Sequence, residues 1–291
     1  MFRIVSDGGC DFSGEEVQNH DISIVPFYIS FDGENYMREG VDITKAEFFD
    51  RLRTDKTLFP KTSQPNPQDY IEALTPHLKA GNDVLVLTIS SKLSGSYSSA
   101  VIAAENLRED YPDRNIVLVD SLNGSVGQGL ILREIIKMRG AGLSAKDTGE
   151  RAKKVLDTTR IYFTLDNLEY LRRGGRVGPT TAFVGGILGL RPILQLVDGK
   201  VTQLDNVRGK KKVLKLIEEA MVEALKDDRD SVSLAIGHIL SDTDAAELRD
   251  SIQSALDITI GNPITEVGVT IGAHIGPGAL AFAYCKKYDT I

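Results

Sequence analysis

Apolar positions along this chain fall into two rhythms. Residues 84–89 (Val-Leu-Val-Leu-Thr-Ile) and 116–119 (Ile-Val-Leu-Val) are continuous apolar runs of strand length. Such runs suit parallel strands buried on both faces. Each run leads into a short polar stretch and then a helical pattern. Ala100, Val101, Ala104 and Leu107 follow the first, and residues 126–139 follow the second. Strand, loop, helix, strand in alternation predicts a parallel α/β sheet. A strand over residues 2–5, ending in a turn at 6–9, opens the chain. Thr44 and Glu47 form a capping box ahead of Phe48, Phe49 and Leu52, which marks a helix start. Asn66 and Pro67 supply a cap and a first-turn proline for another helix. Pro76 is expected to distort or end that helix, because it has no N–H to donate.

Beyond a joint at residues 140–144 the pattern changes. A helix is expected over 144–157, a strand over 161–164, and a short helix from Asp166 to the Gly174-Gly175 pair. Residues 191–197 and 200–203 flank Asp198-Gly199, a pairing that favours a tight hairpin. An amphipathic helix is expected over 210–226. Strands are expected over 233–239 and 265–271, with a helix near 244–256 between them. The fold class is therefore α/β in two domains. Residues 1–142 are expected to form an N-terminal parallel-sheet domain, and residues 143–291 a C-terminal mixed α+β domain.

Composition narrows the function. The 291 residues fit roughly two ordinary domains. With 42% hydrophobic and 26% charged residues, the chain is ordinary globular protein. A net charge of −7 argues against nucleic-acid binding driven by overall charge. Two cysteines, Cys10 and Cys285, cannot build a disulfide framework or most metal sites. No signal peptide is visible at the start, and the uncharged segment 177–190 is too short and glycine-rich to span a bilayer. A cytoplasmic protein without integral membrane association is expected, with transient membrane contact left open.

Charge is uneven. Between Arg172 and Lys215 the chain carries +8, and the remainder carries −15. Arg172, Arg173 and Arg176 surround Gly174-Gly175, where the backbone can turn tightly beside a charged site. This segment is expected to face an anion or an acidic partner. RNA is disfavoured, because no aromatic residues interleave with the charges.

Three loops are built for hydrogen bonding: residues 61–65, 90–96 and 271–278. The second follows a buried strand and opens a helix, the edge of an open α/β sheet where ligands bind. There Ser94 and Gly95 can present a hydroxyl and an amide to an oxyanion, although such a loop also serves as a plain helix cap. Thr62 and Ser63 lie in the first loop. His274, in a glycine- and proline-rich loop, is a candidate site residue or a satisfied structural histidine. No P-loop, dinucleotide fingerprint or nucleophile elbow is present. No catalytic residue and no metal-ligand spacing is evident. This favours binding over chemistry.

Taken together, Thr62-Ser63-Gln64-Pro65, residues 90–100 with Ser94-Gly95-Ser96-Tyr97, and Val119-Asp120-Ser121 resemble the DegV family. Leu168-Glu169-Tyr170-Leu171-Arg172-Arg173-Gly174-Gly175-Arg176, Arg191-Pro192-Ile193-Leu194 with Asp198-Gly199-Lys200, and the stretch from Gly272 through His274 to Gly278 complete the likeness. It spans about residues 3–285. One departure is that Gly8-Gly9 stands where the family usually has Ser-Thr. The resemblance implies two α/β domains with a long-chain fatty acid between them, and a carrier subunit of a bacterial fatty acid kinase. That carrier presents the carboxylate of a fatty acid such as palmitate to a separate ATP-using subunit, feeding lipid metabolism, and has no cofactor of its own. It further implies that Thr62 and Ser94 bond the carboxylate, with His274 nearby, and that Arg172, Arg173 and Arg176 lie near the site mouth or partner surface. Phe183, Val184, Ile187 and Leu188 are expected to line the tail tunnel or simply to be core. An enzyme reading, a hydrolase or transferase using Ser94 and His274, stays open. So does a regulatory module for another anionic lipid or acyl carrier.

Overall fold

The apolar runs become the centre of a parallel sheet. Strands Arg3–Asp7 (β1), Ile22–Val25 (β2), Val84–Thr88 (β6) and Ile116–Asp120 (β7) pair in the order β2-β1-β6-β7, all parallel. Every residue of β6 is buried. Helices Pro67–Lys79 (α3) and Ser96–Asp110 (α4) cover one face, packing Tyr70, Leu74, Ala100 and Ala104 with Val5, Val84 and Val86. Helices Ser125–Gly140 (α5) and Ala145–Thr158 (α6) cover the other. The computed structural model describes residues 2–166, 168–177 and 190–291. The expected tunnel residues Phe183, Val184, Ile187 and Leu188 lie outside the described residues.

Between these elements sits a small antiparallel sheet that the hydrophobic pattern did not announce. It joins Tyr28–Ser30 (β3), Met37–Arg38 (β4) and Lys61–Ser63 (β5). A short helix, Gly14–Asn19 (α1), precedes β2, and helix Lys45–Thr54 (α2) starts at the expected Thr44/Glu47 capping box.

The C-terminal sheet is mixed. Its strands are Arg160–Thr164 (β8), Leu190–Val197 (β9), Lys200–Arg208 (β10), Val232–His238 (β11), Thr265–Glu266 (β12) and Leu280–Lys286 (β13). They run in the order β10-β9-β8-β13-β11-β12. The β9–β10 hairpin turns at Asp198 and Gly199, both with positive φ, the backbone that an Asp-Gly turn of this hand requires. Tyr162, Ile193, Leu234, Ile236 and Phe282 face helices Lys210–Leu225 (α8) and Asp242–Leu256 (α9). Ala235, Gly237, Ala281 and Ala283 alternate onto the opposite face. There they give α5 room, since a Cβ on Gly237 would lie 2.7 Å from Val126. Helix α5 thus sits between both sheets, which explains why it is buried almost all round. The expected joint at 140–144 is the turn from α5 into α6, and both helices lie in this middle layer.

Two expectations are corrected. Helix α3 runs through Pro76 to Lys79. Pro76 and Glu72 are both exposed, so the carbonyl that loses its donor faces water, while Leu74 and Leu78 hold the inner side. The strand expected over 265–271 stops at Glu266, and Val269–Ile275 forms a helix (α10). The β-branched Val269, Thr270 and Ile271 favour a strand. Distant carboxylates decide otherwise. Asp11 accepts from the Gly268 amide, and Glu39 accepts from the Val269 and Thr270 amides, satisfying donors that a helix start leaves open.

Candidate functional site

Helix α10 places His274 in its last turn rather than in a loop. Gly276, with φ of +71°, ends the helix against the Tyr170 ring. The other side of the imidazole is closed by helix Leu168–Gly174 (α7), where a Cβ on Gly174 would collide with His274 Nδ1. Strand β5, held by β3 with Ile29 opposite Thr62, brings the Thr62 hydroxyl to His274 Nε2 at 2.8 Å. Among the described residues, Nδ1 has no hydrogen-bond partner. Burial, helped by the charge of Arg176, pushes the His274 pKa down to about 3, so the imidazole is neutral at physiological pH.

The loop after β6 approaches from the other side. The Leu93 and Ser94 amides both donate to the Ser90 carbonyl, and the Ser90 hydroxyl donates to the Gly199 carbonyl at 2.9 Å. This ties the loop to the β9–β10 turn. Ser94 Oγ accepts from the Ser96 amide at 3.2 Å. Arg176 donates from Nε to the Leu93 carbonyl at 3.2 Å and from Nη1 to the Gly174 carbonyl at 2.5 Å. These contacts gather Thr62, Ser94, Arg176 and His274 around one point.

That point opens into a cavity of about 490 Å³ between the two sheets, within the usual size of ligand sites. Its walls include Ile89, Ile161, Phe163, Leu196, Ile271 and Ala281. Ser63 lines it as well. Gly95 does not, among the described residues. Its amide donates to Gln64 Oε1 at 2.8 Å, so its N–H is engaged within the protein. Gln64, Ser125 and Thr270 also line the cavity and were missed as site residues. Gln64 stood within the quoted Thr62–Pro65 motif, but nothing local marked its contact with Gly95.

The arginines divide. Arg176 faces the cavity. Arg172 and Arg173 are exposed and both bond Glu169, and the Arg173 guanidinium lies 4.0 Å over the Phe59 ring. Elsewhere in the basic stretch, Arg191 pairs with Asp166 and Lys210 with Asp244. Acidic residues from outside the stretch therefore offset part of its charge. The Ser94–His274 dyad is also weakened, because the Nε2 bond goes to Thr62. With Nδ1 unpartnered among the described residues, none of these supplies the third group that orients the ring in a triad.

Next to Ile89 of the cavity wall, the first strand ends in a polar knot. Asp7, fully buried, accepts from the Gly9 and Ile89 amides, Ser96 Oγ and Gln128 Nε2. Desolvation nonetheless raises its pKa. Gly9 has no space for a side chain here, since a Cβ would lie 2.9 Å from Gln128.

The family model described as uncharacterised protein, DegV family, matches residues 1–287. A DegV domain-containing protein from Caldanaerobacter subterraneus is 33% identical over 288 residues, covering 98% of each chain. A stearic acid-binding protein from Eubacterium ventriosum superposes with a TM-score of 0.94 at 33% identity over the full length of both chains. A DegV family protein from Thermus thermophilus, described by its fatty acid binding, gives 0.88 at 29% identity, covering 98% of this chain and 99% of that one.

Proposed function

The chain belongs to the DegV family, and on that premise we propose that it binds one long-chain fatty acid between its sheets. It presents the carboxylate to a separate ATP-using kinase subunit, which forms the acyl phosphate. The observation that carries this reading is a largely apolar cavity with one cluster of Thr62, Ser94, Arg176 and His274 at its wall. A carboxylate in an apolar cleft needs donors, and this cluster supplies them. The tail contributes about 0.8 kcal/mol per buried CH₂, so it dominates affinity while the cluster fixes orientation.

In this reading the histidine acts through Thr62. Among the described residues an Nδ1–H would be a buried donor without an acceptor, which favours the proton on Nε2, donated to Thr62 Oγ1. The threonine O–H is then free for the carboxylate. Gly95, bound by Gln64, shapes the loop. Residues 1–142 and 143–291 are the two units between which the tail lies, and Arg172 and Arg173 mark the kinase side. The carrier is cytoplasmic and has no metal, cofactor or catalytic group of its own.

The test is native mass spectrometry of protein purified from cells, followed by delipidation and titration with palmitate. Masses differing by CH₂ units and saturable uptake are expected. Delipidated, folded protein that takes up no palmitate refutes the proposal.

A further inference from the structure

The cavity has a second polar surface whose chemistry differs from the first. Ser125 and Thr270 both line it and are both more than nine-tenths buried. Ser125 Oγ donates to Asp11 Oδ2 at 2.5 Å, and Thr270 Oγ1 donates to Glu39 Oε2 at 2.5 Å. A hydroxyl has one proton and two lone pairs. Both protons are spent on carboxylates behind the wall, so each oxygen has only lone pairs left to offer. Asp11 also accepts from the Gly268 amide, and Glu39 from the Val269 and Thr270 amides. These bonds hold both carboxylates in place, with the Lys45 charge nearby.

This surface repels a fatty-acid carboxylate, which itself only accepts and would face two further acids. It suits a donor. Thr270 lies four residues before His274 on α10, about 6 Å along the axis, so it meets the acyl chain some carbons away from the carboxyl end. We infer that Ser125 and Thr270 form a hydroxyl-recognising subsite, which admits fatty acids bearing an O–H on the chain at this level and disfavours those bearing it elsewhere. The inference rests on the fatty-acid reading above and adds a ligand class to it.

The test titrates the delipidated full chain, at pH 8, with stearate and with monohydroxystearates. The hydroxyl is moved stepwise from near the carboxyl to the far end. One isomer, or a neighbouring pair, is expected to bind within about two-fold of stearate. The others fall roughly ten-fold or more, because a buried hydroxyl without a partner forfeits its bonds to water. Ser125→Gly removes one acceptor and relieves the positive φ of 53° at that residue, which offsets part of the bond that Asp11 loses, and a thermal melt beside the titration checks that the variant is folded. It is expected to narrow the gap between favoured and disfavoured isomers to under three-fold. Thr270→Ser keeps its hydroxyl and keeps the gap. Ratios are read within each variant, so a general change in affinity cancels. Stearate uptake with no positional preference, or a preference that Ser125→Gly leaves intact, overturns the subsite alone. Loss of all uptake, stearate included, overturns the fatty-acid reading and the subsite with it.

Discussion

Replacing Thr62 by Val removes one oxygen and keeps the branched shape. Thr62 sits in the short strand β5, opposite Ile29, where a β-branched residue suits the backbone. The strand should therefore hold, and the melting temperature should stay near that of the parent. Binding should not. The variant loses a donor to a charged acceptor, worth about 1.5–3 kcal/mol, and leaves His274 Nε2 without its partner at 2.8 Å. At 1.4 kcal/mol per decade, the expected loss is roughly 10- to 150-fold in palmitate affinity. Displacement of a fluorescent fatty acid from delipidated protein measures it, with a thermal melt alongside. A second variant, His274→Ala, and the double variant complete a cycle. If the imidazole acts through the hydroxyl, the two losses are non-additive by at least about 0.5 kcal/mol. A Thr62→Val protein that melts normally and binds palmitate within two-fold of the parent refutes the assignment. Additive losses refute the relay while leaving both residues as ligands.

Gly174→Ala puts a methyl group against His274 Nδ1. Overpacking of this kind typically costs about 1–3 kcal/mol, so a lower melting temperature together with weaker palmitate binding is expected, and an unchanged melt shows that the imidazole can move aside. Asp11 has its pKa raised by burial from 3.8 to about 7. The stability it contributes is therefore present at low pH and lost as pH rises through about 7, by about 1.4 kcal/mol for each pH unit between 5 and 7. Asp11→Asn should thus gain on the parent in melting temperature between pH 5 and pH 8, and a constant difference over that range contradicts the sign. Arg172 and Arg173 are exposed partners of Glu169, so reversing their charge should leave the melt and palmitate retention unchanged while lowering acyl-phosphate formation by a supplied kinase subunit. That activity should also fall as salt rises, because the Debye length is only about 8 Å at physiological ionic strength. Full activity of the reversed variants at low and high salt removes these arginines from the docking surface.

The parts of the fold that could be read from the chain are those decided locally. The run at 84–89 gave a strand buried throughout, because both faces of that sheet are covered by helices, whereas 116–119 gave its parallel neighbour at the sheet edge, where Val117 and Leu118 are only partly buried. Asp198-Gly199 set its hairpin, and Thr44 and Glu47 set their cap, without distant help. The 265–271 segment was misread because its structure is decided by carboxylates more than 200 residues away. The site follows the same division. Thr62, Ser94 and His274 each stood out by their loops and by resemblance, but the bond between Thr62 and His274 spans 212 residues and has no local trace. Ser125 lay just ahead of the helix expected over 126–139 and Thr270 inside the strand expected over 265–271, and neither was marked as a site residue, because Asp11 and Glu39 behind them are more than 100 residues away. The pairing of Arg172 and Arg173 with Glu169 was not read, although spacings of three and four on a helix bring opposite charges together.

The state of the cluster bears on how a carrier of this kind would release its cargo. A carboxylate matched to a free buried cation is held tightly, and breaking such a pair is costly once both charges are out of water. Here the imidazole is neutral, and Arg176 already donates to the Leu93 and Gly174 carbonyls. In the proposed carrier the arginine would therefore set a favourable potential without a dedicated ion pair, and hydroxyls would make the direct contacts. In the proposed carrier, orientation comes from bonds that a kinase subunit can replace one for one, while the tail supplies the affinity. A carboxylate held in this way stays bound during diffusion and is still available to accept a phosphoryl group.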